Sequence, residues 1–293
     1  PAEPAANPNE PAKQPAPVPF SREPMSQEDK DKAWREACLW EVGDHVAVAG
    51  NARRALVECG ELEFLLSKLE ANITLQRRAL WGTIPLFGEK AVEPLIARLK
   101  DENVVVVENV ADLLVRIGDK RGLEPSLARM RSLPQDKRMA VLRHVSRFEG
   151  APVLADALPF LESRSINERE AAVSIIARVA SPQEAALPLI RAALTDKAFK
   201  VRRSAEASIR SGFTLDKDAC AQIDGWMRSV DFSQRDPGQA MARLCVRCPE
   251  IVRDYFKSPH MKDADLSLDT VAGYFIHRLT VVEGLKDRDG EFA

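Results

Sequence analysis

The sequence predicts an all-α protein, a right-handed α-solenoid of stacked antiparallel helix pairs behind a disordered Pro/Ala-rich N-terminal arm. Three observations carry that reading. A phrase recurs about every thirty residues, apolar residues recur three and four apart within each copy, and the first segment is dense in proline with no periodicity. The phrase is GEKAVEPLIARL at 88–99 and GDKRGLEPSLARM at 118–130. Segments closing on a turn or helix end finish at Gly60, Gly88, Gly118, Glu149, Ala180 and Phe213, in steps of 28, 30, 31, 31 and 33 residues. Self-similarity at this period marks stacked repeats, in which one helix pair cannot bury its apolar stripe alone and neighbours complete the core.

Residues 1–25 are expected to be a flexible tether. The first 24 hold eight of the nineteen prolines, and such a composition favours extended polyproline-like chain. The chain starts without Met, so a leader, a lipoprotein signal or a tag upstream is expected to have been removed. A Pro/Ala spacer at that place fits an exported bacterial protein standing off a membrane or wall, in the periplasm or outside the cell. A trimmed cytoplasmic chain with a disordered tail fits it equally. Residues 26–44, with Trp34 and Trp40, read as a capping helix. Residues 45–213 read as the repeats, and 214–293 as a degenerate repeat and C-terminal capping helices.

Within a repeat, Ala91, Val92, Leu95, Ile96 and Leu99 form one helical stripe, and Val107, Val110, Ala111, Leu114 and Ile117 form the next. The run Val104–Val107 would favour a strand by β-branching alone, but the repeat frame assigns it to a helix. Gly88 and Gly118 stand where helices should stop in a left-handed residue, while Asp119 and Ser181 suit the next helix start. A proline recurs in each first half, at Pro94, Pro125, Pro159 and Pro188. These helices should therefore begin near the proline or bend there.

The phrases GEKAVEPLIARLKDENVVVVENVADLLVRIGD and PQEAALPLIRAALTDKAFKVRRSAEASI resemble the short HEAT-like repeats of the phycobilisome-lyase type over roughly residues 45–213. The resemblance implies the helix-pair fold. It is not specific for function, since such repeats serve as scaffolds, adaptors and, in a few families, enzymes.

Two arginine columns emerge from the frame. Eleven residues before the repeat ends stand Arg77, Val107, Arg138, Arg169 and Arg202, with Asp136, Glu168 and Asp196 close by. This column is assigned to structure: in similar repeats such arginines bond carbonyls or acids of their own or a neighbouring turn. Two residues before the ends stand Arg116, Arg147 and Arg178, about 180° away around the helix. One reading has them compensating helix dipoles. The sharper one makes them the binding residues, a basic stripe on the concave face that holds an extended acidic segment of a protein partner.

Composition narrows the classes. Lys and Arg number 42 against 44 Asp and Glu, for a net charge of −2, and 6% of residues are aromatic. Nucleic acid is therefore not an expected partner, since neither global positive charge nor stacking aromatics are supplied. No apolar run approaches the roughly 20 residues that span a bilayer, so membrane association is expected only through an upstream tether. The five cysteines form no framework, and the lone CVRC at Cys245 and Cys248 reads as two small thiols on a helix face. His45, His144, His260 and His277 lie apart without carboxylates at ligand spacing. No nucleotide-binding or hydrolase motif occurs, and no catalytic residue, metal or cofactor is assigned.

The expected function is a non-enzymatic protein-binding scaffold or adaptor in an exported or envelope-associated assembly. A lyase-type enzyme handling a chromophore, and a nucleic-acid-binding scaffold, are the alternatives.

Overall fold

A computed structural model describes residues 23–39, 43, 45–210 and 212–229. Among them every regular element is helical, as the apolar spacing requires. The chain divides into two compact bodies, Pro1–Ala151 and Pro152–Ala293. No helix among the described residues is long and apolar enough to cross a membrane.

In the first body, α1 (Gln27–Ala37) starts at Ser26, whose side chain accepts from the Asp29 backbone N–H and so satisfies one of the donors a helix start leaves free. It buries Ala33 and Ala37 and packs on α2 (His45–Glu58). The buried Glu61, just before α3 (Leu62–Leu66), ties this segment down. Its carboxylate accepts from Met25 N at 2.7 Å and pairs with Lys30 Nζ at 2.7 Å. Trp40, placed with Trp34 in the capping helix, lies outside the described residues.

The chain continues through α4 (Thr74–Thr83), the 3₁₀ segment η1 (Ile84–Ala91), α5 (Val92–Arg98), α6 (Val104–Ile117), the 3₁₀ turn η2 (Lys120–Gly122), α7 (Leu123–Ser132) and α8 (Gln135–Val145). The valine run does start a helix, because Asn103 caps it by accepting from Val105 N at 3.0 Å. Helix α6 is the centre of the body. Every residue of its predicted stripe is buried, and Val106 and Leu113 on other sides are buried too, since α5 packs on one side and α4 and α8 on others. It ends at Gly118 with φ 76° and ψ 14°, the left-handed stop that favours glycine. Gly88 also ends one helical stretch and separates it from the next within the η1 span, with the positive φ of 59° expected there, but its ψ of −138° lies outside the left-handed helical region.

The second body holds α9 (Leu154–Ala157), the 3₁₀ segment η3 (Leu158–Glu162), α10 (Ile166–Val179), α11 (Pro182–Thr195), α12 (Phe199–Ser208) and α13 (Lys217–Ser229). Helix α11 opens with the capping box of Ser181 and Glu184. It packs on both α10 and α12, which also touch each other, and on α13. Pro94 and Pro125 sit in the first turns of α5 and α7, and Pro159 near the start of η3, where a missing N–H costs nothing. Pro188 alone lies inside a longer helix. The helices expected beyond 229, with Cys245, Cys248, His260 and His277, lie outside the described residues, as does most of the arm at 1–22.

The first arginine column has the structural role expected of it. Arg77 donates to Ala71 O at 3.2 Å, Arg138 to Leu133 O at 2.7 Å, Arg169 to Ser163 O at 2.8 Å and Arg202 to Asp196 O at 2.9 Å. Each thereby holds the loop that precedes its own helix. Arg169 also binds Asp196 with both arms, at 2.7 and 3.0 Å. Where the column carries Val107, Arg129 of α7 supplies the missing donor, reaching Asp101 O at 2.8 Å.

The packing at the α6–η2 corner is close enough to test. A Cβ on Gly122 would meet Leu114 Cβ at 3.1 Å and Cδ2 at 3.2 Å. Leu114→Ala should destabilise by roughly 2–5 kcal/mol through the cavity it leaves, and Gly122→Ala by about 1–3 kcal/mol through overpacking. The double variant should lose less than the sum of the two, because the new methyl enters the vacated space. Denaturant midpoints of the four proteins check this.

Candidate functional site

Charged residues Glu108, Asp112 and Arg116 occupy successive turns of α6 and so share one face. Helix α4 presents Arg77 and Trp81 at the same spacing. From α8 come His144, in its last turn, and Arg147, one residue past the cap at Ser146. Because α4, α6 and α8 touch in series, these seven residues form one seam.

Its centre is Asp112, whose side chain is 1% exposed. One carboxylate oxygen accepts from Arg116 Nε at 2.8 Å. The other takes Arg147 Nη1 at 2.9 Å and faces His144 Nδ1 at 2.9 Å. His144 Nε2 lies 3.4 Å from Glu108 Oε1, and Glu108 meets both Nη atoms of Arg77 at 3.5 Å. A buried carboxylate without partners would be costly, and three donors remove that cost.

The titration of the seam follows from these contacts. Burial pushes the Asp112 carboxyl up, but the hydrogen bonds from His144 and Arg116 outweigh it and hold the group at about 2. The hydrogen bond from His144, with help from Arg77, lowers Glu108 against its own burial. Burial pushes the His144 imidazole down, and the carboxylates of Asp112 and Glu108 outweigh that, leaving it above its ordinary value of 6.5. Neutral imidazole carries a single N–H, so it can donate to only one of its two carboxylates. The imidazolium donates to both.

Arg116 is packed from two sides. Its guanidinium lies over the Trp81 ring at 4.5 Å from the centroid, a stacked cation–π contact, and Asp112 takes its Nε. Arg147 is different: its side chain is 44% exposed and Asp112 holds a single Nη. Arg178 lies in the last turn of α10, exposed, in the second body. Of the three arginines expected to form a stripe, Arg116 and Arg147 thus converge on one buried carboxylate. Arg147 stands one residue past the C-cap of α8, with its guanidinium on Asp112.

Sequence reasoning missed the two carboxylates beside His144, which are 36 and 32 residues upstream. Both distances are close to the sequence period of about thirty residues, and these groups, remote along the chain, become neighbours where α6 and α8 touch. The usable signal was Glu108, Asp112 and Arg116 on a single face beside an otherwise apolar stripe.

Cys38 and Cys59 are free thiols. Burial, little opposed by Arg53, pushes Cys38 up to about 11, so it is an uncharged and poorly nucleophilic thiol at neutral pH. No group of His, Cys, Asp and Glu among the described residues is arranged to hold a metal ion. The fold and seam define a class no finer than an all-α protein with a buried charge network. No protein-family model matches the chain, and no curated protein matches it either.

His144 binds its proton more tightly in the folded state than in the unfolded one. The stability it contributes is therefore fully present below pH 6.5 and is lost as pH rises through its raised folded value. Asp112 acts oppositely, contributing above its ordinary 3.8 and losing that contribution as pH falls toward about 2. Urea midpoints measured across this range should decline on the alkaline side, and His144→Gln should flatten that limb. Asp112→Asn should cost roughly 1–3 kcal/mol at neutral pH, since three donors lose their charged acceptor.

Proposed function

We propose that the protein is a non-enzymatic scaffold of HEAT-like repeats that binds an extended acidic segment of a partner protein along the exposed face of its second helices. The observation that carries this reading is Arg147. Its guanidinium is half-exposed, anchored through one Nη and fixed in orientation by a buried carboxylate, with the remaining donors turned to no residue described. A guanidinium held in this way loses little conformational entropy when it accepts a carboxylate.

Charge supports the same partner. Among the described acidic residues Arg77, Arg116 and Arg147 pair with Glu108 and Asp112, so the seam carries one excess positive charge with neutral His144 and two with the imidazolium. Arg178 is an exposed cation of the second body. In this reading the Pro/Ala-rich arm at 1–25 tethers the scaffold to an envelope surface.

Arg116 is a poor residue to change, because its loss would strip Trp81 and Asp112 of a shared partner. The informative variant is Arg147→Gln with Arg178→Gln, in which Asp112 keeps Arg116 and His144. A fluorescein-labelled peptide of alternating Glu and Ala, titrated by anisotropy at low salt, should bind roughly tenfold more weakly to that variant than to the parent. The parent's affinity should also fall as salt is raised. Equal affinity of the two proteins would overturn the assignment.

A further inference from the structure

The second body contains a cleft of about 420 Å³ between the end of η3 with the loop 163–165 ahead of α10, and the end of α11 with the loop 196–198 ahead of α12. Pro188 and Ala192 of α11 and Leu161 give it an apolar floor. The loops themselves are held from below. Arg169 donates to the carbonyls of Ser163 and Arg164 and binds Asp196, while Arg202 donates to the carbonyls of Asp196 and Lys197. Guanidinium forks thus fix both walls of the cleft.

The charges divide into spent and unspent. Asp196 is taken by Arg169, and Glu162 pairs with Arg191 at 2.8 Å. Arg164 and Lys197, on opposite loops and both exposed, have no acidic partner among the described residues. Two residues beyond each of them an apolar side chain is left in solvent: Ile166, 48% exposed, after Arg164, and Phe199, 54% exposed, after Lys197. Two uncompensated cations on rigid loops around an apolar floor suit one carboxylate on a short aliphatic stem. Ile166 and Phe199 stand outside the cleft lining, two residues along the chain from its two cations, where they can meet apolar residues on either side of that stem, which a free small anion would not supply.

We propose that this cleft is a peptide-binding site that takes the side chain of a Glu or Asp flanked by apolar residues, with Arg164 and Lys197 clasping the carboxylate. The site is separate from the Arg147 seam, and either can fail without the other.

The test is an amide NMR titration of the full chain with acetyl-Leu-Glu-Leu amide, a probe too short to follow a row of arginines one repeat apart. Arg164, Thr195 and Lys197 should shift in the parent. Affinity should fall roughly tenfold in Arg164→Gln/Lys197→Gln, be retained in the charge-conserving Lys197→Arg, and stay unchanged in Arg147→Gln/Arg178→Gln. Phe199→Ser should weaken the peptide and leave glutarate binding as it was. Because both charged heads project to solvent and the loop carbonyls keep their arginine donors, the double variant should retain the parent's urea midpoint. Undiminished affinity in the double variant, or glutarate binding as tightly as the peptide, would overturn the proposal.

Discussion

The recurrent constraint in this protein is the guanidinium fork that holds the loop ahead of each second helix. A helix pair leaves carbonyls unsatisfied at the end of its first helix and in the turn that follows. Arg77, Arg138, Arg169 and Arg202 reach back five or six residues to supply donors there. The planar fork with its several N–H groups can take a carbonyl and a carboxylate at once, as Arg169 does. The direction of each second helix, and hence which of its faces is buried, depends on this junction. Where the column is broken by Val107, a donor arrives from α7 and an asparagine cap secures the helix start.

The same economy of donors explains the polar interior of the first body. Helix α6 is enclosed on several sides and would be apolar throughout if packing alone decided it. It carries two buried polar residues instead. Asn109 donates to Leu69 O at 2.8 Å and Ala71 O at 3.0 Å, closing the loop ahead of α4, where Ala71 O also accepts from Arg77. Asp112 gathers Arg116, Arg147 and His144. Asn109 thus joins α6 to the loop ahead of α4 and Asp112 joins α6 to the end of α8, and fixing register is the role such groups fill most convincingly. Positioning of the exposed Arg147 follows from that junction.

The two bodies handle surface charge differently. In the first, Arg116, Arg147 and His144 are gathered around the buried Asp112, which orients the exposed Arg147. In the second, the acids nearest the cleft are used by Arg169 and Arg191, and Arg164 and Lys197 remain on the rim. A near-neutral chain can therefore present local positive features of two kinds, which the net charge of −2 conceals.

Much of the helical organisation was legible in the sequence, because it depends on short-range physics. The stripe of Val107, Val110, Ala111, Leu114 and Ile117, the stop at Gly118, the capping serine at 181 and the placement of Pro94 and Pro125 all follow from spacing and backbone preference within one or two turns. The Arg77 column was visible from its period, and its structural assignment followed from the resemblance to similar repeats. Gly88 was legible only as a break, since its ψ is set by the packing around η1 and not by the residue itself. The site was another matter. How Arg116 and Arg147 are engaged depends on a carboxylate that the packing of α6 against α8 brings to both, and His144 looked isolated for the same reason. Local sequence determined where helices begin, end and turn their apolar faces. Tertiary contact between successive helices decided the upward shift of the His144 imidazole, the anchoring of Arg147 and the pairing that leaves Arg164 and Lys197 exposed, because electrostatics acts through space between groups the chain keeps far apart.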